Sequence, residues 1–256
     1  MSSGTPRRCA TPPPSTANYS RPTSPPQRAT LCAGPQPEGG TTAQASRGIF
    51  VTIEGPDFSG KSTLVHAMRP LLAGVEPPTY FTREPGGTPA AERIRRLVLD
   101  PEVEMDAWTE AYLYAAARAD HARRRILPRL VRGENVVCER YLDSSLAYQG
   151  YGRELGVEAV RELNSWAVET VVPDRTFYLR LGVEERARRA LRLGAPLDRI
   201  EKVGDEFMGR VEEGFEELVR REPHRIEVLD AGRSPEELAE LVVGEIRSLQ
   251  YTRRGE

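Results

Sequence analysis

From residue 48 onward, short runs of apolar and β-branched residues alternate with longer stretches in which apolar positions recur every three or four residues. Runs of four to six such residues suit buried strands, and a 3.6-residue period suits helices packed on one face. Strands are predicted at Ile49–Glu54, Thr79–Thr82, Asn135–Cys138, Thr176–Leu181 and Arg225–Asp230. Helices are predicted from Lys61 to about Leu72 and over Ala90–Leu99, Ala107–Ile126, Glu184–Leu193 and Lys202–Arg221. Pro128 restarts or kinks the third of these. Ser234, with Glu237 three residues on, reads as a capping box that opens a closing helix. No element is assigned between Cys138 and Thr176. Strands alternating with helices imply an α/β fold whose parallel sheet is covered on both faces.

Residues 1–46 break the pattern. They hold nine of the 21 prolines, four arginines, one acid and only 11 apolar residues. Such a segment buries too little surface to offset its ordering entropy, so it is expected to be a disordered Pro/Ser/Thr-rich extension. Arg7-Arg8 lacks the apolar stretch of an export signal, and the prolines argue against an amphipathic transit helix. Residues 47–256 then form one domain. The net charge of −2 excludes a globally basic nucleic-acid binder. No apolar run approaches membrane-spanning length. Three cysteines make no disulfide framework, so a reducing, cytoplasmic setting is expected.

Directly after the first strand comes Gly55-Pro56-Asp57-Phe58-Ser59-Gly60-Lys61-Ser62-Thr63. This is the phosphate-loop pattern in its required strand–loop–helix setting. Its glycines let backbone N–H groups face phosphate oxygens at a helix N-terminus. Lys61 would reach the β/γ-phosphates of ATP, and the Ser62 hydroxyl would ligate Mg²⁺. A carboxylate at Asp57 serves no phosphate, so it either accepts a hydrogen bond from an acceptor substrate or is a solvated turn residue. None of Asn18, Asn135 and Asn164 begins an Asn-Lys-x-Asp segment, which disfavours a guanine-reading GTPase.

Arginines mark where a second phosphate-bearing substrate could sit. Thr82-Arg83-Glu84-Pro85-Gly86-Gly87-Thr88 ends the second strand with a rigid bend, at the sheet edge where ligands of open α/β sheets bind. Tyr114 and Arg118 are four apart on one helix face. Cys138-Glu139-Arg140-Tyr141 follows the third strand, where Glu139 suits Mg²⁺ or its water and Arg140 suits a phosphate. Taken singly, Tyr114 reads as core, the arginines from 118 to 125 as a solvated face, and Ser144 and Ser145 as a helix cap. His66, His121 and His224 share no ligand spacing, so no zinc site is expected.

In order and spacing, GPDFSGKST, TREPGGT, the aromatic-x-x-x-Arg helix and ERYLDSSLAYQG resemble the bacterial thymidylate kinases, from about Gly48 to the C-terminus. The resemblance implies a phosphate-loop kinase fold with five parallel strands, flanking helices and a short lid, usually as a homodimer. It implies transfer of the ATP γ-phosphoryl group to dTMP, with Mg²⁺, and no role for nucleic acid or membrane. Position by position, it implies that Asp57 binds the deoxyribose 3′-hydroxyl, Arg140 holds the acceptor phosphate and Arg83 lies in the substrate-positioning turn. Tyr114 stands where a phenylalanine usually stacks on thymine, and Arg118 meets the thymine edge. Ser145 lies beside the base, Tyr148 lies beneath the sugar, and Ser144 and Gln149 complete the substrate set. Glu139 replaces a usual aspartate and Ala117 a frequent one; neither change removes a required group.

Catalytic arginines in this family come from the phosphate loop or the lid, and Phe58 brings no charge to the loop. The lid segment Glu185–Arg199 offers Arg188 and Arg192 on one face, so Arg192 with Arg188 or Arg189 is expected to join Lys61 and Arg140 in catalysis. A charged surface helix is the bland alternative. Another nucleotide kinase, or a partitioning ATPase whose arginines bind DNA or a partner, remains open at this point.

Overall fold

The computed structural model describes residues 47–169, 171–194, 199–200 and 203–255. The expectation for residues 1–46, and those touching Pro196 and Lys202, fall outside the described residues. β1 (Phe50–Glu54) is buried throughout, as its FVTIE run demands. β3 (Asn135–Glu139) and β4 (Arg175–Arg180) pair in parallel with its two edges. β2 (Thr79–Arg83) joins β3 and β5 (Ile226–Asp230) joins β4, so the parallel order is β2-β3-β1-β4-β5. The central strand therefore delivers the phosphate loop between two neighbours at the sheet's carboxyl edge, where such folds bind ligands.

The pleat of β1 sends Val51 and Ile53 to one face and Phe50 to the other. Val51 and Ile53 pack with Leu64 and Met68 of α1 (Lys61–Leu72) and Val242 and Ile246 of α9 (Pro235–Arg254). Phe50 joins Ile126, Leu130, Val136 and Tyr141. The Ser234–Glu237 capping box is formed as expected. α2 (Pro89–Leu99) is capped by the Thr88 hydroxyl, which accepts from the Ala91 N–H.

The long third helix is not uniform. α3 (Ala107–His121) widens into a π turn at Ala122–Ile126 before α4 (Leu127–Val131), because Pro128 has no N–H to continue the ladder. The unassigned stretch is helical too: α5 (Leu142–Ser145), a π-helical segment (Leu146–Gly152) and α6 (Val157–Val168). Serines and glycines hide the first two from a propensity reading. Gly152 is there for contact, since a Cβ would come within 2.6 Å of the Phe207 ring on α8 (Asp205–Arg221). α7 (Val183–Leu193) is exposed along much of its length and ends at Gly194, with φ 55°.

Candidate active site

The phosphate loop bends where its sequence permits. Gly55 takes φ 142°, and a Cβ there would meet the Leu179 carbonyl at 2.8 Å and the Ser59 hydroxyl at 2.9 Å. Lys61 folds back over the loop, donating from Nζ to the Pro56 carbonyl at 2.7 Å. Burial pulls its ammonium down to about 8, and Arg140 adds to the effect while Asp57 opposes it. Ser62 Oγ donates to Glu139 Oε1 at 2.8 Å. A hydroxyl and one carboxylate beside a phosphate cradle are hard oxygen donors of the kind Mg²⁺ takes together with substrate phosphates.

Arg140 sits in the left-handed region at φ 62°, a conformation costing a non-glycine residue on the order of 1 kcal/mol or more. Its surroundings hold it there. The Arg140 N–H donates to the Ile53 carbonyl at 2.9 Å, and Nη1 donates to the Gly55 carbonyl at 2.9 Å and to Ser144 Oγ at 3.2 Å. Nη2 pairs with Asp57 Oδ1, and the guanidinium lies 5.1 Å from the Tyr148 ring centre. Tyr148 donates its hydroxyl to Asp57 Oδ2 at 3.0 Å. Burial alone would raise the Asp57 carboxyl, but Arg140 and Lys61 hold it below the usual value. Glu54, at the end of β1, accepts from the Tyr141 N–H at 2.7 Å and from Ser144 Oγ at 2.5 Å. Burial, with Asp143 nearby, pushes Glu54 up to about 7.

Two hollows meet at this cluster. One holds the phosphate loop from Asp57 to Thr63 with Glu139, Arg140, Arg189 and Arg192 on its walls. The other is lined by Asp57, Tyr114, Arg118, Arg140, Ser144, Ser145, Tyr148 and Gln149. Every substrate residue expected from the sequence therefore faces one cavity, except Arg83. That side chain is half exposed and pairs with Glu92 at 3.2 Å. Its neighbour Glu84 takes the place on the wall. Tyr114 and Arg118 are neighbours on α3, as their spacing requires.

Of the two arginines expected as alternatives beside Arg192, the lid brings Arg189 to the loop and not Arg188. Arg188 turns to Glu185 at 3.1 Å and is exposed, away from the loop. Arg189 instead reaches the loop carbonyl of Ser59 at 3.4 Å and the Ala231 carbonyl at 2.8 Å. The docking of α7 selects the 189/192 face, which an i, i+4 argument alone could not choose over 188/192.

Several site residues carry no signal in sequence. Arg95 of α2 lines both hollows and donates to the Pro85 carbonyl at 3.0 Å. Glu84 and Asn164 fix Arg118: Nε donates to Glu84 Oε2 at 2.8 Å, Nη1 pairs with Asn164 Oδ1, and Nη2 donates to the Tyr141 carbonyl at 3.0 Å. Each terminal nitrogen keeps a second N–H for a ligand. Their meaning arises only when distant segments meet.

Comparison with known proteins identifies the family. The thymidylate kinase family model matches residues 53–242. The thymidylate kinase of Exiguobacterium sibiricum is 45% identical over 192 residues, covering 75% of this chain and 90% of the relative. That of Symbiobacterium thermophilum is 46% identical over 191 residues, covering 74% and 88%. The crystal structure of thymidylate kinase from Ehrlichia chaffeensis superposes with a TM-score of 0.63 at 28% identity, covering 78% of this chain and 99% of that one. With a family model that matches residues 53–242 and relatives 45–46% identical over most of their length, the chain belongs to the thymidylate kinase family, phosphotransferases that convert dTMP to dTDP.

Proposed function

We propose that the loop hollow takes ATP and the adjoining pocket takes dTMP, with Arg140 at the junction holding the acceptor phosphate. The observation that carries this is the Asp57–Arg140–Tyr148 cluster, drawn from three separate segments, in which Asp57 and Arg140 line both hollows and Tyr148 lines the second. Asp57 accepts from the sugar 3′-hydroxyl, Tyr148 packs beneath the sugar, Tyr114 covers the base and Arg118 donates to the O4 edge. Ser144, Ser145 and Gln149 complete the pocket, and Arg95 bridges to the phosphates. Ser62 and Glu139 hold Mg²⁺, which when bound neutralises charge on the β- and γ-phosphates. Lys61, Arg189 and Arg192 present positive charge to the transferring group. Phosphoryl transfer depends on such placement more than on proton transfer.

The enzyme acts in dTTP synthesis, and we place it in the cytoplasm as a homodimer without nucleic-acid or membrane partners. Trp108 and Tyr112 stand 41% and 59% exposed on α3, an apolar face suited to a second copy. No helix among the described residues is long and apolar enough to cross a membrane. A coupled ADP-release assay over a panel of nucleoside monophosphates tests the reading. Turnover should be fast with dTMP, slower with dCMP and minimal with ATP alone. Equal ATP hydrolysis with and without dTMP would overturn it.

A further inference from the structure

Glu110 stands one turn before Tyr114 and two before Arg118 on the same face of α3, and its carboxylate is only 1% exposed. Arg153 Nη2 donates to its Oε2 at 2.8 Å, and Arg199 Nη2 donates to the same oxygen at 2.7 Å. The third partner is an amide: Gln149 Nε2 donates to Oε1 at 2.9 Å. Gln149 comes from the π-helical segment and lines the acceptor pocket together with Tyr114 and Arg118.

A glutamine amide has a donor end and an acceptor end of nearly the same shape, so its surroundings decide which end meets a ligand. A carboxylate held by two guanidiniums offers lone pairs only, and it would repel an amide oxygen. Glu110 therefore takes the nitrogen of Gln149. The amide oxygen accepts no hydrogen bond among the described residues and is left for the pocket. We propose that Glu110 is a positioning residue that locks the Gln149 amide with its oxygen toward the base, so that the pocket demands a ring N–H there. Thymine carries that proton on N3, next to the O4 carbonyl assigned to Arg118. Cytosine has a bare nitrogen at N3 and an amino group in place of O4. A donor and an acceptor in one cavity thus match the thymine edge and oppose cytosine at two atoms. The inference rests on the dTMP-kinase reading above and deepens it, since Arg118 alone tests only one of those atoms.

Two measurements test it. The first needs no substitution and compares dTMP with 5-fluoro-dUMP, whose N3–H ionises at lower pH because the halogen withdraws electrons. Dividing the KM of the analogue by that of dTMP at each pH cancels the titration of the protein's own groups. The quotient should rise several-fold as the analogue ionises, because the ionised ring has no proton for the amide oxygen. A quotient that stays flat or falls would mean that the amide nitrogen faces the base, and would overturn the proposal. The second is the dTMP/dCMP ratio of kcat/KM in a double-mutant cycle. Glu110→Gln accepts either end of the neighbouring amide, so the ratio should fall about tenfold, mainly through KM. In a Gln149→Met background the same change should move the ratio less than about twofold, because no amide is left to orient. Arg153→Met loosens the same carboxylate without touching its bond to Gln149. It should lower the melting temperature and keep the ratio within about twofold. An unaltered ratio in Glu110→Gln, or equal falls in Glu110→Gln and Arg153→Met, would show that Glu110 is structural only. Failure of the native protein to phosphorylate dTMP would overturn the kinase reading instead.

Discussion

Arg118 and Glu84 form an ion pair at 2.8 Å with side chains 2% and 4% exposed, and both line the acceptor pocket. The residue assigned to reading the base is thus also a load on the fold. Removing Arg118 leaves the buried Glu84 carboxylate with only His121 Nδ1 against it, at 3.0 Å, and breaking a buried pair costs up to about 3–5 kcal/mol. Arg118→Met should therefore lower the melting temperature markedly while raising the dTMP KM about tenfold or more and narrowing the preference for dTMP over dCMP. The double substitution Glu84→Gln with Arg118→Met removes the stranded charge. It should recover part of the melting temperature but none of the base preference. Thermal melts and KM values on the three proteins check both halves.

The lid offers a sharper contrast within one helix. Arg192 faces the donor hollow, whereas Arg188 pairs with Glu185 in solvent. Exposed pairs of that kind contribute at most about 1 kcal/mol to stability and touch no phosphate. Arg188→Ala should leave kcat within about threefold of the parent. Arg192→Ala should lower it about a hundredfold or more, as loss of a charge that acts in the transition state does. Equal effects from the two would mean the helix adopts another face during turnover.

Glu139 accepts from the Ser62 hydroxyl at 2.8 Å. Glu139→Gln keeps its length and removes the charge that would attract the metal or its water. Turnover should fall, and the Mg²⁺ concentration giving half-maximal rate should rise several-fold. A titration curve identical to that of the parent would leave Glu139 with only the task of orienting Ser62.

How much of this was readable in advance depends on how far apart the cooperating residues lie. The loop from Gly55 to Thr63 was legible because a phosphate cradle is made of consecutive backbone groups. Tyr114 and Arg118 were legible as a pair because one helical turn joins them. Their alignment with Asp57 and Arg140 came from family resemblance rather than from spacing. Glu84, Arg95, Glu110, Asn164 and Arg199 gave no local sign: each acts on a partner in another element, and a charged residue on a helix looks the same whether it meets solvent or a buried carboxylate. Residues 146–152 escaped assignment because the π-helical segment uses glycine for contact with α8, against its propensity. By contrast, α6 buries Val160, Asn164, Ala167 and Val168 at helical spacing, a legible period that the strand-and-motif reading passed over. Arg188 and Arg189 could be separated only by how α7 docks.

Glu54 gives the site a pH-dependent stability of known sign. Its carboxyl stands at about 7 instead of the ordinary 4.5, because burial and then the Asp143 charge disfavour ionisation. The folded protein therefore holds this proton more tightly than the unfolded chain does. The associated stabilisation is complete below about pH 4.5 and is lost as pH rises through 7. Other groups titrate over the same range, so the informative quantity is the difference between the parent and Glu54→Gln. The glutamine is neutral at every pH and retains one oxygen to accept from the Tyr141 N–H or the Ser144 hydroxyl. Urea unfolding from pH 5 to 8 should show that difference shifting in favour of the variant by on the order of 2–3 kcal/mol, most of it below pH 7. A difference flat across that range would place the Glu54 carboxyl at its ordinary value, ionised beneath Ser144 throughout.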